Sequence, residues 1–139
     1  MKERLKELEK SFRRLAENNR EQSKKDLYQT VNESFYKEDI PHEALDELKT
    51  LSPDFQKGLF DGLAFSHEQV ANYCQLVMET SNLINETVIH QLVHSMKSHR
   101  SLQEAKINSD ESTYQGGFSQ GIKAGFNSSI IEVQSKCNV

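Results

Sequence analysis

Glu86, His90 and His94 stand four residues apart in the stretch ETVIHQLVH, so a helix would carry them on one face. One carboxylate and two imidazoles in that arrangement are a donor set that zinc accepts. A metal centre also needs a third or fourth ligand from another element and groups that orient the ligands. None of His42, His67 or His99 is tied by spacing to that face. Two histidines on a polar arc also fit an ordinary solvated surface, and both readings stay open at this level. The chain has no G-x-S-x-G elbow, no phosphate-binding loop and no dinucleotide fingerprint. Cys74 and Cys137 have neither metal nor redox spacing and read as reduced thiols, the second near a fraying helix end. The expectation is a protein that is not an enzyme and needs no cofactor.

The elements that would position such residues are announced by an internal repeat. Phe55–His67, FQKGLFDGLAFSH, matches Tyr114–Phe126, YQGGFSQGIKAGF, at an offset of 59 positions. Both copies read aromatic-x-x-Gly-hydrophobic-x-x-Gly-hydrophobic, and Ser66 takes the place of Gly125. All six glycines of the chain fall in these two stretches. Residues four apart share a helix face, so Gly58 and Gly62 form one notch and Gly117, Gly121 and Gly125 another. Phe55 and Leu59, and Tyr114, Phe118 and Ile122, run alongside. Glycine inside a helix costs about 1 kcal/mol relative to alanine, so five of them forfeit roughly 5 kcal/mol, as much as the lower end of a domain's stability. Close approach of a neighbouring helix is the offset the pattern calls for, whether within the chain or across a two-fold axis. A plain turn at Gly116-Gly117 is the alternative.

The rest of the chain reads as helix. Tryptophan is absent, the only prolines are Pro41 and Pro53, and a composition 35% hydrophobic and 27% charged suits one modest core. The fold expected is all-α: a single domain over residues 1–139, an elongated bundle of about four to six helices with glycine-notched packing. Residues 1–25 form a basic amphipathic helix with Leu5, Leu8, Phe12 and Leu15 at heptad spacing. Leu27, Val31 and Phe35 extend the stripe toward Tyr36, and a short helix follows Pro41. Pro53 opens a helical stretch running to about residue 103, which unbroken would span roughly 75 Å. Candidate breaks are Ser66, in a capping-box pattern with Gln69, and residues 82–85. The second is preferred, because the repeat needs helix past Ser66. The apolar residues from Ile84 to Met96 cover about half a helical wheel and call for a central position. Lys106–Thr113 reads as a loop with Asn108 or Ser112 as N-cap, and a last helix occupies 109–135.

Charge bounds the partners. Residues 1–25 carry nine Lys/Arg against five Asp/Glu, whereas the remainder is strongly acidic, in a chain of net charge −4. Lys2, Lys6, Lys10, Arg13, Arg20 and Lys24 share an arc of the first helix, which could contact nucleic acid. Glu9 and Glu17 dilute the arc and no aromatics interleave it, so nucleic acid is disfavoured. Glu38, Asp39, Glu43, Asp46 and Glu47, continued by Asp54 and Asp61, form an acidic stretch that could dock on a basic partner. There is no apolar run of the length a membrane span requires and no leader-type segment, so a cytoplasmic protein without membrane contact is expected. Three functional expectations result. The leading one is a helical protein–protein interaction module that self-associates, most simply as a dimer. The others are a small inhibitor or adaptor docking its acidic stretch on a basic, nucleic-acid-binding partner, and a histidine-based metal binder.

Overall fold

A computed structural model describes residues 1–24, 53–104 and 113–139, and among these it is all-α, with four helices and no strand. They are α1 (Lys2–Gln22), α2 (Pro53–Thr80), α3 (Glu86–Glu104) and α4 (Tyr114–Cys137). The stripe from Leu27 to Tyr36, the short helix after Pro41 and the loop from Lys106 lie outside the described residues, as do Glu38, Asp39, Glu43, Asp46 and Glu47. No described helix is long and apolar enough to cross a membrane.

Each helix has a local reason for its ends. Pro53 and Asp54 suit the first turn of α2, one needing no amide partner and the other complementing the helix dipole. The stretch from Pro53 is not one long helix. It closes at Thr80, whose hydroxyl bonds the Leu76 carbonyl, and reopens where the Asn85 side chain accepts from the Val88 amide at 3.1 Å. Ser66 does not break α2, because its hydroxyl bonds back to the Leu63 carbonyl at 2.9 Å inside the helix. Thr113, rather than Asn108 or Ser112, caps α4 by accepting from the Gly116 amide. At the other end Asn138 adopts the left-handed conformation that closes helices, and Val139 N–H reaches the Gln134 carbonyl. Cys137 is therefore buried in a formed last turn, where a frayed end was expected.

Contacts fix the topology. Gly58 faces Tyr114 and Phe118, Gly62 faces Phe118 and Ile122, and Ser66 faces Gly125, so α2 and α4 run parallel and in register. On one side α1 lies antiparallel to α2, with Arg13 on Asn72 and Gln75 and Arg20, two turns later, paired with Glu68. On the other side α3 packs on α4 and meets α2 only sparsely. The parallel pair is thus the centre of the bundle. The apolar arc of α3, for which a central place was expected, buries Ile89, Leu92, Val93 and Met96 from the flank.

The first helix departs from its expected seam. Leu5, Leu8, Phe12 and Ala16 are buried, whereas Leu15 is 40% exposed. A straight helix turns every 3.6 residues and drifts off a 3.5-residue repeat. By the third turn position 16 has therefore replaced position 15 against α2.

Candidate functional site

The described surface that most distinguishes this chain is the seam between α2 and α4, and it is made of backbone. A Cβ on Gly58 would fall on the Tyr114 carbonyl oxygen and 2.9 Å from Phe118 N. A Cβ on Gly117 would fall on the Phe55 carbonyl oxygen and 2.9 Å from Leu59 N. Tyr114 and Phe118 are the repeat equivalents of Phe55 and Leu59, so the two contacts are one contact seen twice. The same exchange relates Gly62, against Phe118 and Ile122, to Gly121, against Leu59 and Leu63. At the centre a Cβ on Gly62 would lie 3.0 Å from Gly121 Cα, and the reverse also holds. The two copies of the repeat are therefore related by a local two-fold axis along the helices. The close approach that offsets the glycines' helix cost is supplied within the chain.

One place breaks the symmetry. Position 125 is glycine and its equivalent is Ser66, whose hydroxyl occupies the space a Cβ on Gly125 would need. The outer rim is closed by Tyr114, whose hydroxyl donates to Asp61 at 2.6 Å. Its pKa is pushed up to about 12, first by desolvation and then by this carboxylate. Asp61, the last carboxylate of the acidic stretch, is thus engaged inside the fold, while Asp54 is exposed.

Two histidines sit where the flanking helices meet the central pair. His67 is buried, its ring stacked on Phe12 with centroids 6.1 Å apart, and its Nδ1 lies 3.2 Å from the Ser129 hydroxyl. Burial lowers its pKa. A serine beside an imidazole is the beginning of a nucleophilic pair, but Ser129 is 0% exposed and no substrate could reach it. On the opposite flank His99 lies against Phe126, the repeat equivalent of His67, with its Nδ1 3.1 Å from the Tyr73 hydroxyl. Burial again lowers the pKa. Neither contact was legible in the sequence, because each joins helices whose facing was not set by spacing alone. Cys74 and Cys137 are buried thiols with raised pKa values, Cys74 to about 12, chiefly through desolvation. That is the opposite of the thiolate a reactive cysteine needs.

The residues singled out for metal do share an exposed face. Glu86 and His90 approach to 3.5 Å as a solvated i, i+4 pair, and His94 stands exposed one turn on. Among the described residues no group of three His, Cys, Asp or Glu has a geometry that could hold a metal ion. The basic arc of α1 is partly consumed by the fold. Arg13 bonds Glu9, Asn72 and Gln75, and Arg20 pairs with Glu68. Lys2, Lys6 and Lys10 line an open hollow of about 530 Å³ against Gln75, Met78 and Glu79, with Glu9 among them.

What sequence reading did not single out is an apolar end. Leu76 is 54% and Leu83 70% exposed, and Met1 and half-buried Val139 reach the same end of the bundle. That end is where α2 hands over to α3. Compared with known protein families, curated proteins and solved structures, the chain matches none.

Proposed function

We propose that this protein works by protein–protein contact and not by catalysis, as a helical module that associates with a second copy of itself. The observation that carries the reading is the apolar end. In a chain of mean hydropathy −0.72, two leucines seven residues apart are left on the surface beside the α2–α3 link. Exposed leucines scattered singly are ordinary, but Leu76 in the last turns of α2 and Leu83 in the link both stand at the end of the bundle where α2 gives way to α3, whereas Leu15, Tyr114 and Ile131 are exposed singly on other described helices. The glycine seam supports the reading in a second way, since backbone-to-backbone packing fixes α2 against α4 at the centre of the bundle, next to such a surface. Light scattering on the full chain from 1 to 100 µM is the test, with Leu76→Ser/Leu83→Ser as the comparison. A dimer that the double substitution weakens supports the proposal. A monomer throughout the range, or a dimer indifferent to the substitutions, overturns it.

A further inference from the structure

We infer that the second copy is engaged by exchange: the α3–α4 half of one chain packs on the α1–α2 half of the other, and the link at residues 81–85 straightens into helix. This rests on the self-association proposed above and specifies its form. The bundle is divided for it. α1 packs on α2, α3 packs on α4, and the two halves are joined through the α2–α4 seam, while α2 and α3, consecutive in the chain, touch sparsely. The repeat makes that seam an interface between near-equivalent surfaces, each glycine notch receiving the other copy's backbone. An exchanged pair rebuilds every one of these contacts between chains, which is why exchange is an inexpensive route to dimers.

The link is built to allow it. Ser81-Asn82-Leu83-Ile84-Asn85 contains neither glycine nor proline, so the chain carries no residue that forbids helix between Thr80 and Glu86. The turn is held instead by the Asn85 side chain on the Val88 amide and by Ile84, half-buried against the core. Straightening gives the link's own backbone groups helical partners. It also gives the apolar end a use. Leu76 and Leu83 are seven apart, so in one continuous helix they stand on the same face, at the spacing by which helices pair. Two straightened links meeting at the dimer axis would cover both leucines, which the closed chain leaves exposed.

The closed and straightened links respond oppositely to two substitutions in the full chain. Glu86 is the first residue of α3, where proline is well accommodated and the preceding Asn85 already caps. In a continuous helix the same proline removes a hydrogen bond and clashes with the turn before it. Glu86→Pro is therefore expected to weaken the dimer by at least about a hundredfold per link, with the monomer's circular dichroism and Tm retained. Asn85→Ala removes the cap that holds the turn and is expected to strengthen the dimer by about fivefold per link. Light scattering and sedimentation equilibrium on wild type and both variants read the result. A wild-type dimer that Glu86→Pro dissociates and Asn85→Ala tightens supports exchange. A dimer that Glu86→Pro leaves equally strong overturns exchange and leaves self-association standing. Wild type and Asn85→Ala that both remain monomeric at 100 µM overturn the two together.

Discussion

Gly121→Ala sets two rules against each other, and the structure decides between them. By helix propensity alone the change should stabilise the protein by about 1 kcal/mol, because alanine is the better helix former. In the seam the added methyl would stand on the Leu59 carbonyl oxygen, 2.9 Å from Leu63 N and 3.0 Å from Gly62 Cα. Carbon atoms pack at about 3.5–4.0 Å, so α2 and α4 would have to part by about 0.5–1 Å. Every neighbour involved is backbone, and none can rotate away. Overpacking of this kind costs about 1–3 kcal/mol, and a contact between two main chains belongs at the upper end. After the propensity gain the net loss is about 2 kcal/mol. For a chain of this size that lowers Tm by about 7 °C, readable by circular dichroism or calorimetry. Ala124 lies three residues along on the exposed side of the same helix, and there Ala124→Gly should cost about 1 kcal/mol on propensity alone. Opposite substitutions are thus expected to destabilise on the two faces of α4. A Gly121→Ala protein with an unchanged or raised Tm would refute the packing argument. Gly62→Ala should behave as Gly121→Ala does, and the pair should lose less than the sum, because the first methyl already parts the helices for the second.

Gly125→Ala should also destabilise, but its obstacle is the Ser66 hydroxyl, so adding Ser66→Gly should recover part of the lost Tm, which no seam contact with backbone would allow. Ala16→Leu, placing bulk against α2, is expected to cost about 1–3 kcal/mol in urea denaturation, whereas Leu15→Ala, on the exposed side, should stay within about 0.5 kcal/mol. His67 binds its proton less readily folded than unfolded. Its share of stability is thus fully present above pH 6.5 and is lost as pH falls from there through the lowered folded value. Urea midpoints measured from pH 7.5 to 5 should fall in that window, and His67→Phe, which copies Phe126 at the equivalent position, should flatten the fall to what His99 contributes.

The parts of the fold legible in the sequence are those whose signal is periodic. The repeat at an offset of 59 names the two helices that form the centre, and the four-residue glycine spacing names their touching faces, because a helix leaves no other place for such a notch. Leu5, Leu8 and Phe12 were readable for the same reason. Positions 15 and 16 were not, since 3.5- and 3.6-residue periods diverge only after several turns and a partner must be known to choose between them. The break after Thr80 carries only a weak signal, because Asn85 is a cap in one conformation and an ordinary polar residue in the other. The hydrogen bond of Tyr114 to Asp61, the His67–Ser129 pair and the Tyr73–His99 pair depend on which helix lies beside which. Spacing within one helix does not carry that information. Glu86, His90 and His94 show the converse, a spacing that reads as a site although among the described residues no group of three His, Cys, Asp or Glu could hold a metal ion.

At the centre of the bundle two copies of one glycine motif lie parallel and in register, backbone against backbone. Nuclear Overhauser contacts between glycine α-protons test this arrangement most directly. A strong cross-peak is expected between Gly62 and Gly121, with weaker ones from Gly117 to the Leu59 amide and from Gly58 to the Phe118 amide. An antiparallel pair crossing at the same point would keep the Gly62–Gly121 contact but connect Gly58 with Gly125 in place of Phe118. That pattern, or the absence of any contact between Gly62 and Gly121, would rule out the parallel, in-register pair.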